Sequence, residues 1–259
     1  MTVNVYILDR VIFKFLLYIG FTMYTLAIFD LDGTILDTLD DLAASVNHAL
    51  VQNGLPPRTT EEVRGFVGNG IRNLMVRSVC AAKGMGVVEG AAVLPAFSPE
   101  MAAAQREDIL ALIDSVHKAF TEHYKNHCAD KTRPYPGIPE LLRRLRAEGV
   151  RLAVVSNKAD YGVQELCARY FPGLFDFALG EREGIKRKPE PDSVFAAMRQ
   201  FGVDSAQTVY VGDSDVDIQT ARNAGVDCIS VSWGFRSREF LLEHGASVIV
   251  DAPEAINNG

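Results

Sequence analysis

Apolar residues fall along this chain in two rhythms, and the boundary between them lies near residue 134. Before it, after one short strand, the spacing is helical. Thr25–Phe29 is a continuous apolar run ending at Asp30, read as a buried strand. Asp37, Asp40 and Asp41 then fill a first helical turn, where carboxylates suit the helix dipole. That helix is expected to stop at Asn53-Gly54, with Pro56-Pro57 beyond. Helical periodicity returns over Ile71–Cys80 and over Met101–Tyr124, where Ile109, Leu112, Ile113, Val116 and Phe120 share a face. From Pro57 to about Arg133 no convincing strand is found.

After Tyr135-Pro136-Gly137 the rhythm alternates. Strands are predicted at Val150–Val155, Phe175–Leu179, Thr208–Val211 and Cys228–Val231. Helices are predicted at Ile138–Glu148, Tyr161–Tyr170, Pro191–Phe201 and Ile218–Asn223. This order implies the α/β class: a doubly wound, Rossmann-like parallel sheet that also takes in the first strand. The expected core domain is residues 23–37 and 134–259, interrupted by an all-helical insert at 38–133. Residues 1–22 stand apart. Phe15–Phe21 is apolar and follows Arg10 and Lys14, but no small-residue cleavage site follows. The run is shorter than the roughly 20 apolar residues of a membrane span. It is read as an upstream extension or a start-site artefact.

Composition narrows the class. The 259 residues are 48% hydrophobic and 23% charged, as in a globular protein, and carry a net charge of −7. A nucleic-acid partner would need a basic stripe, and none is present. Cys80, Cys128, Cys167 and Cys228 stand far apart with no Cys-x-x-Cys pair, which reads as reduced thiols in a cytoplasmic protein. His123 and His127 have metal-ligand spacing but no accompanying Glu, and are taken as solvated helix-face residues.

The chemistry gathers at the strand ends. In an open parallel sheet, ligands bind beyond the carboxyl ends of the strands. There the chain places Asp30-Leu31-Asp32-Gly33-Thr34, then Ser156-Asn157-Lys158, then Lys188-Pro189, and finally Gly212-Asp213-Ser214-Asp215-Val216-Asp217. Asp30, Asp32 and Asp213 could not share a dry site without a cation. Oxygen-only ligands point to a hard metal, Mg²⁺. The Ser156 hydroxyl and the Lys188 ammonium suit an incoming phosphate. Each piece alone is an ordinary turn or cap signal. Their joint occurrence, each directly after an apolar strand, is what singles them out.

These segments resemble the four motifs of the haloacid dehalogenase superfamily, and within it the phosphoglycolate phosphatase branch. Phe29–Thr38 matches the first motif, Ser156-Asn157 the second, Lys188–Pro191 the third and Gly212–Asp217 the fourth. The resemblance covers roughly residues 24–251, and the insert resembles that family's C1 type of helical cap. It implies a phosphatase in which Asp30 is the nucleophile and Asp32 the general acid and base. It implies Mg²⁺ on Asp30, the Asp32 carbonyl and Asp213, with Asp217 direct or through water. Ser156, the Asn157 backbone and Lys188 would hold the phosphoryl oxygens.

The insert also carries a resemblance. Phe66–Arg72 is similar to a segment that phosphoglycolate-type enzymes turn toward the site, so Gly68, Asn69, Gly70 and Arg72 are specificity candidates. The plainer alternative is a helix connection with Arg72 on a solvated face. Trp233–Arg236 either packs in the core or closes against the insert. The expected partner is a small phosphorylated metabolite, with no nucleic acid or membrane, for a monomer or homodimer. A sugar phosphomutase, a pyrophosphatase, a nucleotidase and a non-catalytic phosphate-binding module are the competing readings.

Overall fold

A computed structural model describes residues 24–88 and 93–257; residues 1–22, Met23, and the segments 89–92 and 258–259 lie outside the described residues. Strand β1 (Leu26–Phe29) is central, flanked by β2 (Arg151–Ala159) and β4 (Thr208–Gly212). Outside β2 lies β3 (Phe177–Glu181); outside β4 lie β5 (Asp227–Val231) and then β6 (Ile249–Val250). All the pairings within this sheet are parallel, in the order 6-5-4-1-2-3. That order reverses direction at the β1/β4 boundary, where doubly wound sheets open their ligand crevice.

Burial explains why β1 reads as an unbroken apolar run. Leu26 and Ile28 face one side, with Ala153, Val155 and Tyr210 of neighbouring strands and with Val194, Ala197, Ala221 and Ala224. Ala27 and Phe29 face the other side, with Leu152, Val154, Val209, Val211, Leu142 and Val163. A strand covered on both faces has no polar position to spare. The covering helices of the core are α5 (Ile138–Ala147), α6 (Asp160–Tyr170), α7 (Asp192–Phe201) and α8 (Asp215–Ala224).

The insert holds α1 (Leu39–Gln52), α2 (Thr60–Phe66), α3 (Ile71–Ala82) and α4 (Ala103–His127). Val46, Leu50, Met75, Val79, Ile113 and Phe120 form its interior, which is continuous with the Phe29 side of the sheet. It also contains a two-residue antiparallel pair, Val87–Val88 with Leu94–Pro95, which periodicity did not suggest. Its two connections to the core run side by side. Leu36–Asp37 pairs with Arg133–Pro134, and Arg133 Nη2 donates to Asp37 Oδ2 at 2.6 Å. The Asp41 carboxylate accepts the Lys131 and Thr132 amides, so both crossings are pinned at one place.

Four expectations are corrected. The sheet gains β6, too short for any periodicity to show, and α9 (Arg238–Glu243) precedes it. β2 runs past Val155 to Ala159 through a register shift, so Ser156–Lys158 belongs to the strand rather than to a loop after it. α8 begins at Asp215 instead of Ile218, because Ser214 and Asp217 form a reciprocal capping box. His123 is not simply solvated. Its ring stacks between His48 and His127, at 4.1 and 4.2 Å between centroids, and it shares a 2.9 Å hydrogen bond with Ser45 Oγ. Among the described residues no helix is long and apolar enough to cross a membrane.

Candidate active site

Register brings the chemistry together. Phe29 pairs with Val154 on one side and Val211 on the other, so Asp30, Ser156 and Asp213 leave adjacent strands within two residues of one line. All three border one pocket with Asp32, Asn157, Lys158 and Lys188, roofed by Val67, Gly68, Gly70, Ile71, Leu74 and Tyr124 of the insert.

On one side of this pocket lies an acidic cluster. Carboxylate oxygens of Asp30, Asp213 and Asp217 all come within 4.8 Å of one another. Lys188 is their counter-charge, with Nζ 2.9 Å from Asp30 Oδ1 and 2.8 Å from Asp217 Oδ1. The Tyr210 hydroxyl, 3.0 Å from the same ammonium and 3.1 Å from Asp217 Oδ1, fixes the group from below. Burial works against the Lys188 charge, but Asp217 and Asp30 outweigh it and hold the ammonium well above its ordinary value.

One lysine does not balance three buried carboxylates. Burial pushes the Asp30 carboxyl up to about 7; Lys188 pulls the other way, while Asp217 and Asp32 add to the rise. Burial also pushes Asp213 up, to about 8, and the negative Asp217 and Asp30 reinforce it. Asp30 Oδ1 meets Lys188 as an ion pair but accepts no well-aligned hydrogen bond. Asp213 takes Thr34 Oγ1 on one oxygen, at 3.2 Å, and the Phe235 amide on the other, at 2.7 Å. Both therefore keep acceptor capacity for a cation.

Asp217 differs. Its Oδ1 accepts from Lys188 and Tyr210, and its Oδ2 from the amide and hydroxyl of Ser214 at 3.1 and 2.6 Å. A carboxylate offers about four acceptor positions, and these four donors occupy them.

Backbone closes in around the cluster. Gly33, at φ +86°, packs against the Asp213 carboxylate, as does Gly234, and Gly212 lies against Asp217. A Cβ at any of the three would overlap those side chains. Glycine is required here for the close approach. The donor set, its unbalanced charge and this cradle fit a hard cation.

Opposite the cluster stands Asp32. Lys158 Nζ lies 3.0 Å from its Oδ1 and 3.3 Å from its Oδ2, and donates to the Tyr124 hydroxyl at 2.6 Å. Sequence reasoning quoted Lys158 without assigning it a role, and treated Tyr124 only as the end of a helix. Their joint position was hidden because one comes from the core and the other from the insert.

The remaining candidates divide. Ser156 opens onto the pocket, and its Oγ accepts the Lys158 amide at 3.3 Å. Asn157 instead works as a brace. Its side chain bonds the Lys188 amide at 2.8 Å, the Lys188 carbonyl at 3.0 Å and the Gly68 carbonyl at 3.2 Å. Gly68 and Gly70 border the pocket. Asn69 instead accepts from Arg77, and Arg72 is absent from the lining: it is half-exposed and pairs with Asp114 of α4. Of its two readings, Arg72 here takes the plainer one, a helix-face residue paired with Asp114. Arg72 follows Ile71 on α3, and when Ile71 faces the pocket its neighbour is turned toward α4.

In Trp233–Arg236 the aromatic rings join the core cluster, and the contact with the insert comes from Arg236. Trp233 Nε1 bonds the Thr34 carbonyl at 3.0 Å. The Arg236 guanidinium crosses to the insert and bonds the Arg64 and Val67 carbonyls at 2.9 and 2.7 Å.

Comparison with known proteins agrees with this geometry. The profile of the haloacid dehalogenase-like hydrolases matches residues 27–231. A phosphoglycolate phosphatase of Pseudomonas putida is 33% identical over 92% of this chain and 80% of its own length. An N-acetylmuramic acid 6-phosphate phosphatase of Pseudomonas aeruginosa is 32% identical over 88% of this chain and 91% of its own. A crystal structure from Lactobacillus delbrueckii subsp. bulgaricus, of a protein provisionally assigned as a phosphoglycolate phosphatase, superposes with a TM-score of 0.78. It is 42% identical and covers 90% of this chain and 96% of its own. The chain belongs to the haloacid dehalogenase-like hydrolase family. Within that family it is a phosphatase. The family generally uses Mg²⁺, and the acidic cluster of Asp30, Asp213 and Asp217 could bind such an ion, Asp30 and Asp213 being the members with acceptor capacity left.

Proposed function

We propose that this chain is a Mg²⁺-dependent phosphatase acting on a compact phosphomonoester, with 2-phosphoglycolate the first candidate, through a phosphoryl group carried on Asp30. The observation that carries the reading is the separation of two carboxylates from one turn. Asp30 lies in the acidic cluster with Lys188, while Asp32 lies outside it, paired with Lys158.

Asp30 and Asp213 would hold the cation together with the Asp32 carbonyl. Asp217, its oxygens already taken, would act through Lys188. When bound, the cation offsets the repulsion between an anionic nucleophile and an anionic substrate. Ser156 and Lys188 would hold the phosphoryl oxygens as charge redistributes. A carboxylate oxygen of Asp30 forms the new bond to phosphorus as the ester oxygen leaves with its electron pair. Asp32 supplies the proton that the leaving alkoxide needs. It then takes a proton from the water that attacks phosphorus, which frees phosphate and regenerates Asp30.

The apolar roof of Val67, Ile71 and Leu74 limits the leaving group and excludes bulk water. A second reading rests on the groove that meets this pocket at Lys188, Phe235 and Arg236 and runs out between α2, α3 and the 186–190 loop. A sugar leaving group would fit that path. The test is phosphate release with Mg²⁺ from 2-phosphoglycolate, pyrophosphate, N-acetylmuramic acid 6-phosphate and nucleoside monophosphates. A kcat/KM highest for phosphoglycolate supports the compact-substrate reading, and one highest for the sugar ester overturns it in favour of the groove.

A further inference from the structure

We infer that Lys158 and Tyr124 form the receptor for a carboxylate on the leaving group. This deepens the reading above and rests on its placement of Asp32 beside the departing oxygen.

Three cationic side chains border the pocket among the described residues: Lys158, Lys188 and Arg236. Lys188 is held by Asp30, Asp217 and Tyr210 on the phosphoryl side. Arg236 is turned onto backbone carbonyls of the insert. Lys158 is the cation beside Asp32. Its side chain is 3% exposed, and its charge is held by Asp32 and the Tyr124 hydroxyl.

The Tyr124 hydroxyl completes the pair. A phenol that accepts from an ammonium still has its own proton to donate. No acceptor among the described residues takes that proton. An apolar pocket wall thus presents an O–H donor 2.6 Å from a buried ammonium.

Distance supports the assignment. To protonate the leaving oxygen, Asp32 must lie about 2.6–3.2 Å from it. In phosphoglycolate the carboxylate carbon is two bonds beyond that oxygen. Lys158 Nζ is 3.0 Å from Asp32 Oδ1, so the ammonium stands where that carboxylate would arrive. Lys158 spends two N–H donors on the Asp32 oxygens and one on Tyr124; as Asp32 turns to the leaving oxygen, the N–H it releases and the Tyr124 O–H would meet the two carboxylate oxygens. The pair spans core and insert, so such a substrate would bind best with the insert closed.

The experiment compares kcat/KM for 2-phosphoglycolate and ethyl phosphate in the wild type, Lys158→Met and Tyr124→Phe. It adds inhibition of p-nitrophenyl phosphate hydrolysis by glycolate. Lys158→Met should lower activity on both esters, because it also steadies Asp32. The preference for phosphoglycolate should fall by a further 10–100-fold, about the worth of a hydrogen bond to a charged group. Tyr124→Phe, a gentler change, should lower that preference roughly fivefold, as for one neutral donor. Glycolate should inhibit the wild type and fail to inhibit Lys158→Met.

Equal losses on the two esters would overturn the receptor and leave Lys158 as a positioning residue. Should phosphoglycolate be a poor substrate while glycolate inhibition still depends on Lys158, the substrate reading falls and the receptor stands. A strong preference for phosphoglycolate that neither variant moves overturns the receptor and keeps the substrate reading.

Discussion

The two sides of the pocket solve opposite electrostatic problems with residues two positions apart. On the side of the acidic cluster, Asp30, Asp213 and Asp217 crowd together near one lysine, and burial drives the first two carboxyls upward. Negative charge is in excess there, and a cation is what such a site lacks. On the leaving-group side, Asp32 meets Lys158 one to one, with Tyr124 beside them. Here one ammonium faces one carboxylate, and once Asp32 carries the proton it is proposed to donate, the Lys158 charge is left for a ligand. On the proposed mechanism that difference suits two roles: a nucleophile that a bound cation would keep anionic, and an acid held near the leaving atom and apart from the acidic cluster.

The comparison breaks first at Asp30. The variant Asp30→Asn keeps the shape but loses the attacking electron pair, so kcat should fall by about 10⁴-fold or more at a melting temperature no lower than the wild type's. A folded variant with near-normal phosphate release would end the account. Asp32→Asn should cost about 10²–10⁴-fold on ethyl phosphate and much less on p-nitrophenyl phosphate, whose leaving group needs no proton. Steady-state rates on the two esters decide it, and equal losses would remove Asp32 from the acid role.

The charge imbalance itself is testable by heat. Asp30 and Asp213 have raised values in the folded protein, about 7 and about 8, against about 3.9 unfolded. Their contribution to stability is therefore present at low pH and lost as pH rises through the folded values. Mg²⁺ replaces the protons, so its stabilising effect should grow with pH. The Mg²⁺-induced rise in Tm should be a few degrees larger near pH 8 than near pH 6. The same shift at both would contradict the buried, proton-holding cluster. The smallest effect is expected at Arg72→Ala, which removes an exposed ion pair with Asp114. Its effect on kcat/KM should stay within about twofold, and on stability within about 1 kcal/mol. A large, phosphoglycolate-specific loss would return Arg72 to the site.

The side of the acidic cluster was legible in the sequence, and the other side was not. Asp30 and Asp213 each follow an apolar strand directly, and the parallel pairing of β1 with β4 brings them together, whereas Lys188 reaches them on the loop after β3, braced by the Asn157 side chain. Tyr124 continues the buried stripe of Ile109, Ile113, Val116 and Phe120, so its spacing marks it as one more core residue. Only the packing of α4 over the strand ends places its hydroxyl on Lys158, 34 residues away. Arg72 misled for the converse reason: its segment was right, since Gly68 and Gly70 border the pocket, but a charged side chain carries no signal of which way its helix turns. The capping box at Ser214 and Asp217 was hidden in a motif that also reads as four loop residues.

The central claim is that phosphorus is transferred to Asp30, and trapping that bond tests it most directly. Asp32→Asn, given p-nitrophenyl phosphate and Mg²⁺, should form the phosphorylated enzyme faster than it loses it. Acid quench and peptide mass spectrometry should find one phosphoryl group on the peptide bearing Asp30. The double variant with Asp30→Asn should show none. Release of p-nitrophenol with Asp30 unmodified, or a phosphoryl group on another residue, would contradict the account.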